Sequence, residues 1–382
     1  MNNIPSPFKL LDYYDYKDAG IFFGREAETR QMVGEILSSR LLVLYSPSGS
    51  GKTSLIQAGV RPQLEEMGYQ TVYTRMETEP IPSVMHAVSV ALNLPTGPPE
   101  ESHELYAFLK QVLQKAGNPL VIFLDQFEEF FIIYRNKPEL RREFIEQVAR
   151  SKYDDELPVF LVLSLREDYL AQLHEFRADI PSIFQNNANI RLDAFDEKAA
   201  RRAMEKPMAA VGWTLAPGLT DTILTDLNKE GTGIEPIKLQ MVCGTLWEQR
   251  NGETGEIPLS VYETLGGTEF IIRQFIAGRL EKVPHRRYRL LVKVCEALKT
   301  PDKTKRYRSI EDLLAQLNIK NRQRLDAVLK PLVNLQVLRE EERGGTQWYE
   351  FKHDYVAAEL SRWIQDRKER TRRRRIWYAA LP

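Results

Sequence analysis

The sequence predicts an α/β protein: a parallel sheet covered by helices on both faces, then a helical lid domain and a C-terminal winged-helix domain. Three observations carry this. Short, continuously apolar runs alternate with helical patterns over the first half, as strands buried on both faces require. A Gly/Ser-rich loop joins the first such run to a helix. After about residue 196 the runs give way to helices, and the chain then reaches a hairpin pattern, "QVLREEERGGTQWYEFKH", with "GG" as its turn.

Taken in order, residues 1–20 are rich in tyrosine without a clear period and read as an extended lead-in. A helical pattern runs from Glu26 to Leu37. "LLVLY" (41–45) is a fully apolar strand, and "GKTSLIQAGVRPQLEEM" reads as the helix after it. "YQTVYTRM", "LVIFLD" (120–125) and "PVFLVLSL" (158–165) are three more strands, with "ELRREFIEQVAR" a helix between the last two. "NIRLDAF" (189–195) is a short fifth. Right-handed crossovers place every strand's carboxyl end on one rim, where ligands bind. The expected divisions are a lead-in (1–20), a sheet domain that carries the Gly/Ser-rich loop (21–193), a helical lid (194–266), a winged helix (267–365) and a basic tail (366–382).

Composition narrows the function classes. At 382 residues the chain is too long for one ordinary core. Lysine plus arginine equals aspartate plus glutamate at 53 each, so the whole molecule has no polyanion-seeking field. Two isolated cysteines, Cys243 and Cys295, exclude a disulfide framework and read as buried thiols of a reducing compartment. The start lacks the basic and apolar regions of a secretory signal, and no apolar run reaches the roughly 18 residues of a membrane span. The expectation is a cytoplasmic protein.

The loop "SPSGSG" (46–51) between strand and helix is a phosphate cradle in which Ser46 occupies the usual first glycine position. Amides from Ser48, Gly49, Ser50, Gly51, Lys52, Thr53 and Ser54 converge at a helix N-terminus, which binds anions. Lys52 reaches the β- and γ-phosphates, and Thr53 offers its hydroxyl to Mg²⁺. A left-handed Ser46 would cost about 1 kcal/mol or more. Asp125 ends a buried strand, where a carboxylate suits magnesium. Glu128 and Glu129 follow within a turn and are both candidates to orient or deprotonate an attacking water. Arg166 sits at the end of the fourth apolar strand, where a fixed fork of donors can sense a γ-phosphate or pair with Glu167 or Asp168.

Together with these, "IFFGREAE" (21–28), "LSLREDYL", "GIEPIKLQMVCGTLWE" and "YEFKHDYVAAEL" resemble the STAND class of signal-transduction NTPases, in particular the novel STAND NTPase 1 group related to NACHT and NB-ARC domains. The resemblance covers roughly residues 7–365. It implies an AAA+/STAND-like P-loop fold, ATP or ADP with Mg²⁺ as ligands, and slow ATP hydrolysis that governs a closed-to-open change and oligomerisation. It places Arg25 at the base and ribose side, Pro236 of "GIEP" on the adenine, Arg166 as the sensor-1 arginine, and His353 on the ADP β-phosphate. Gln126 follows Asp125 directly, so the choice between Glu128 and Glu129 stays open. The partners implied are a second copy of the chain and a sensor or effector; a role in bacterial conflict or defence signalling is a further expectation.

One alternative belongs to another class. Between residues 286 and 330, thirteen Lys and Arg stand against five acids, a footprint suited to phosphate contact by a winged helix of a DNA-binding ATPase. The tail "RTRRRRIWYAALP" has the cationic composition that flanks a membrane helix, so membrane contact would depend on sequence beyond the C-terminus.

Overall fold

A computed structural model describes residues 5–76, 79–94, 104–185, 188–250, 255–300, 306–343 and 345–379. Of the features read from the sequence, Asp302, Lys303, Lys305, Gly344 and the last three residues lie outside these. Two compact units form: Tyr13–Pro207, and Met1–Asp12 together with Met208–Pro382.

The first unit is built on a five-stranded sheet of order β2-β3-β4-β1-β5, every pair parallel. Its strands are β1 (Leu41–Ser46), β2 (Gln70–Arg75), β3 (Leu120–Asp125), β4 (Val159–Arg166) and β5 (Asn189–Arg191). Alternate side chains pass to opposite faces. Leu42, Leu44, Val121, Phe123 and Val162 meet Met32, Val33 and Ile36 of helix α1 (Glu26–Ser39) on one face. Leu41, Val43, Ile122, Leu124 and Leu163 meet a second core on the other. Helices α3 (Pro80–Ala91), α4 (Leu105–Ala116) and α6 (Pro138–Tyr153) cover that second face, and α5 (Glu128–Ile133) follows β3 directly. Both faces are therefore dry, which is why these strands read as unbroken apolar runs.

Several boundaries differ from the sequence expectation by a residue or more. β5 stops at Arg191 rather than running to Phe195, and β4 extends one residue so that Arg166 closes the strand. The helix after the loop, α2, begins as Lys52–Ser54, widens to a π-helix over Leu55–Val60, and resumes as α-helix over Arg61–Glu66. Pro62 explains the widening. It has no N–H to give the carbonyl four residues back, and the Arg61 amide bonds Ile56 five residues back instead.

Helix α7 (Glu197–Ala210) carries the chain out of the first unit. In the second unit, α8 (Leu219–Leu227), α9 (Pro236–Glu248), α10 (Leu259–Thr264) and α11 (Gly267–Glu281) pack as helices, beside a short parallel pair of β6 (Thr214–Leu215) and β7 (Glu256–Ile257). Then come α12 (Tyr288–Ala297), β8 (Arg308–Ser309), α13 (Ile310–Gln316), α14 (Arg322–Asn334), β9 (Leu338–Arg343) and β10 (Thr346–Phe351). The three strands form an antiparallel sheet of order β8-β10-β9. One helix, a short strand, two helices and a hairpin is the element order of a winged helix, and Gly345 takes the positive φ, +76°, at its turn. Helix α15 (Asp354–Ala379) follows.

The lead-in is not uniformly extended. Phe8 and Leu11 are buried in the second unit, where Leu10 lies against Gly244 so closely that a Cβ there would collide with it. Residues Tyr16–Ile21 form a 3₁₀ helix of the first unit, capped by Asp15. Both cysteines are buried thiols, and burial raises the pKa of each.

Candidate functional site

The strand ends Ser46, Arg75, Asp125 and Arg166 share one edge of the sheet, with Ser46 in register with Arg166 and Arg75 in register with Asp125. The loop after β1 passes over this edge. Its two positive-φ residues are Gly49 at +86° and Gly51 at +94°, a conformation in which any Cβ is strained. Ser46 is not left-handed. It is the buried last residue of β1, so the expected penalty for replacing glycine does not arise. Its hydroxyl oxygen accepts from Lys52 Nζ at 3.0 Å, and the Ser46 and Pro47 carbonyls accept from the same ammonium at 3.1 and 3.3 Å.

Asp125 is the centre of the site. It is 1% exposed, yet charged, because three hydroxyls and one cation hold it. Thr53 and Tyr73 donate to Oδ2 at 2.7 and 2.8 Å, and Ser164 donates to Oδ1 at 2.6 Å. Arg75 Nε lies 3.3 Å from the Tyr73 hydroxyl. Burial pushes the Asp125 pKa up, but the Arg75 charge and the hydroxyls outweigh it, so the net shift is downward. Burial and the neighbouring carboxylate raise that of Tyr73, which stays protonated and donating.

Thr53 and Asp125 thus meet directly, as a shared ion would require. The fit to magnesium is good in kind, since the donors are oxygens, a hydroxyl and a carboxylate. Among the described residues no group of three His, Cys, Asp or Glu could hold a metal by itself. A site of this kind relies on phosphate and water to complete the shell, as magnesium sites usually do.

The turn from β3 to α5 is tight. Gln126 takes a positive φ of +54°, the Phe127 amide bonds the Ser164 carbonyl at 2.8 Å, and Phe127 sinks into an aromatic cluster with Phe130, Phe131, Phe144 and Phe176. This anchor holds Glu128 and Glu129, both buried, at the start of α5. Glu128 Oε2 accepts from the Arg166 amide at 3.2 Å. The Arg166 guanidinium pairs with Asp168. The Tyr169 hydroxyl lies in the field of the same groups: burial raises its pKa, Arg166 opposes, and Glu128 and Glu129 reinforce.

Arg25 is placed differently from the other cations. It is 3% exposed, and its guanidinium donates to the Asp193 carbonyl at 2.8 Å, to the Ser50 carbonyl at 3.3 Å and to Glu28 at 2.6 Å. It also stacks 4.1 Å over the Phe195 ring. Burial lowers its pKa, with Glu28 opposing. It therefore joins the phosphate loop to the segment leading into α7. Its neighbours do the same: Gly24 at φ +90° would put a Cβ 2.5 Å from the Ala199 carbonyl of α7, and Glu26 pairs with Arg202 at 3.3 Å.

In the second unit Pro236 opens α9 in the first turn, where its missing N–H is harmless. His353 lies between β10 and α15, and its Nε2 donates to the Leu11 carbonyl at 3.0 Å. Three residues of the site were not singled out in the sequence: Tyr73, Arg75 and Ser164. Ser164 had a readable signal, a hydroxyl inside an otherwise apolar strand. Tyr73 and Arg75 had none short of the β2–β3 register.

Residues 7–380 match the family described as Novel STAND NTPase 1. The chain belongs to that family. As a STAND NTPase it is a P-loop NTPase. Among solved structures, it is similar to a Walker-type ATPase of Pyrococcus abyssi, at 16% identity over 92% of this chain and 99% of that one, with a TM-score of 0.47. It is also similar to the ORC2 protein of Aeropyrum pernix, in a structure of its ADPNP–ADP complexes (14% identity, 85% and 88% covered, TM-score 0.47). A third likeness is to Drosophila ORC bound to DNA (16% identity, 86% and 91% covered, TM-score 0.37). No curated protein matches the sequence. Among the described residues, no helix is long and apolar enough to cross a membrane.

Proposed function

We propose that this STAND NTPase is an adenine-nucleotide switch that binds ADP or ATP with Mg²⁺, hydrolyses ATP slowly, and changes between closed and oligomerising forms. The observation that supports it most is the hydrogen bond between Thr53 and the buried, ionised Asp125, beside a loop lysine held over the same sheet edge. Loop amides from Ser48 to Ser54 bind the phosphates, and Lys52 exchanges its carbonyl partners for phosphate oxygens. Thr53 and Asp125 would hold the magnesium ion, which would supply positive charge against the phosphates. Glu128 and Glu129 are the groups available to orient water, and Arg166 to sense the γ-phosphate. Arg25 braces the phosphate loop through the Ser50 carbonyl, and its place at the base and ribose side of the nucleotide rests on family membership. Pro236 on the adenine and His353 on the β-phosphate rest on family membership, as do the division into nucleotide domain, lid and winged helix and a defence role.

Slow turnover is the expectation that family membership carries. The position directly after Asp125 is Gln126, which cannot act as a base, and Glu128, one of the two carboxylates available to orient water, also accepts from the Arg166 amide. A switch from 1:99 to 99:1 needs about 5.5 kcal/mol of differential binding. One charge-assisted hydrogen bond contributes only about 1.5–3 kcal/mol, so a sensor or partner must supply the remainder. The test is to identify the nucleotide released on denaturing the purified protein and to weigh the particle before and after ATP. ADP release and a larger particle with ATP support the switch; an unchanged mass and no nucleotide refute it.

A second reading, a DNA-binding ATPase, is favoured by the exposed Lys320, Arg322, Arg324 and Lys330 on and before α14. Against it, the wing strand β9 carries Glu340, Glu341 and Glu342 in succession. A gel shift with duplex DNA that weakens steeply with salt would favour this second reading.

A further inference from the structure

The carboxyl end of β2 brings a cation to the metal carboxylate. Tyr73 and Arg75 are two residues apart, so both project from the same face of the sheet, and their register partners are Phe123 and Asp125 of β3. On that face Tyr73 packs against the core formed with α1 and α2. The contacts form a chain: Arg75 Nε to Tyr73 Oη at 3.3 Å, Tyr73 Oη to Asp125 Oδ2 at 2.8 Å, and Thr53 Oγ1 to the same Oδ2 at 2.7 Å. Oδ2 of the carboxylate that would help to hold Mg²⁺ is thus already served by two hydroxyls, and a guanidinium lies beside one of them.

We infer that Arg75, acting through Tyr73, is a built-in counter-ion of Asp125 that competes with Mg²⁺ and makes nucleotide binding less dependent on the divalent ion. This rests on the nucleotide reading above. Two positive charges cannot both be fully satisfied by one carboxylate. Arg75 holds the Tyr73 hydroxyl on Asp125 Oδ2 when the metal is absent, and its charge opposes the metal's arrival. The loop amides and Lys52 can then hold a nucleoside diphosphate without Mg²⁺, while a triphosphate, with more charge to neutralise, gains more from the ion. Tyr73 and Arg75 are positioning residues here, since they act through Asp125.

The experiment titrates Mg²⁺, and Mn²⁺ in parallel, into the full chain with a fluorescent ADP analogue, reading both the analogue's affinity without metal and the metal concentration for half-effect. Bound Mn²⁺ is also counted directly by its paramagnetic resonance signal. Arg75→Gln is expected to lower the half-effect concentration by about tenfold, the order a neighbouring unit charge gives at a partly buried site. It is also expected to weaken metal-free binding of the analogue. Tyr73→Phe should move both in the same direction by less, and Arg75→Lys should restore the wild-type profile. An unchanged or raised metal requirement in Arg75→Gln, or in Tyr73→Phe if the first variant does not fold, overturns the inference while leaving the nucleotide site standing. Failure of the wild-type chain to bind the analogue at any metal concentration overturns both.

Discussion

Restoring the usual glycine at position 46 should loosen the protein and tighten its grip on nucleotide. Ser46→Gly removes the hydroxyl oxygen that accepts from Lys52 Nζ at 3.0 Å, and leaves the ammonium with the Ser46 and Pro47 carbonyls at 3.1 and 3.3 Å. The lysine is partly exposed, so solvent screening discounts the lost charged hydrogen bond to about 1 kcal/mol, below the usual range. A glycine at the end of a buried strand adds about 0.5–1 kcal/mol. The sum, about 1.5–2 kcal/mol, lowers the melting temperature of a unit this size by roughly 3–8 °C without nucleotide. Phosphate binding requires Lys52 to leave Ser46, so the same deletion removes an opposing interaction and raises ADP affinity about fivefold. Thermal melts and an ADP titration read both quantities. A variant with unchanged melting temperature and weaker ADP binding would refute the view that Ser46 holds Lys52 back.

Other consequences follow from the same geometry. Gly24→Ala should destabilise the first unit by more than about 2 kcal/mol, because φ is +90° and the Cβ would press on the Ala199 carbonyl; chemical denaturation measures it. Asp125→Asn should cost about 1–3 kcal/mol at neutral pH through its weakened hydroxyl bonds. Because the folded pKa of Asp125 lies below its ordinary 3.8, the wild-type contribution is complete above that value and is lost as pH falls through the folded value. Melts on the acid side should therefore be steeper for wild type than for Asp125→Asn. Of Glu129→Gln and Glu128→Gln, the one that abolishes ATP turnover while sparing ADP binding identifies the water-orienting carboxylate; equal, small effects in both would remove that role from α5.

Much of the sheet unit was legible because burial on both faces forces apolar runs, and β1, β3 and β4 obey this almost residue for residue. Asp125, Lys52 and Thr53 were legible for a different reason: each sits where a dry strand or helix meets the rim, so its polarity stands out. Ser46 was legible as a departure but not in its consequence, since only the backbone tells whether the position must be left-handed. Tyr73 and Arg75 were hidden because a tyrosine and an arginine at a strand end are ordinary, and their meaning depends on which strand lies alongside. Pro62 could have signalled the π-helical stretch, but its effect depends on which carbonyl the preceding amide then finds. The short strands β6, β7 and β8 are two residues each and too brief to leave a period. The burial of Arg25 and its bonds to the Ser50 and Asp193 carbonyls were hidden because both partners lie far along the chain.

Calorimetric titration of ADP, with and without Mg²⁺, into the wild-type chain and into Lys52→Ala addresses the central claim most directly. Saturable one-site binding by wild type, weakened at least about a hundredfold in Lys52→Ala, is the expected result. Equal affinities, or no heat from the wild-type chain, would contradict the assignment of the β1–α2 loop as the phosphate cradle.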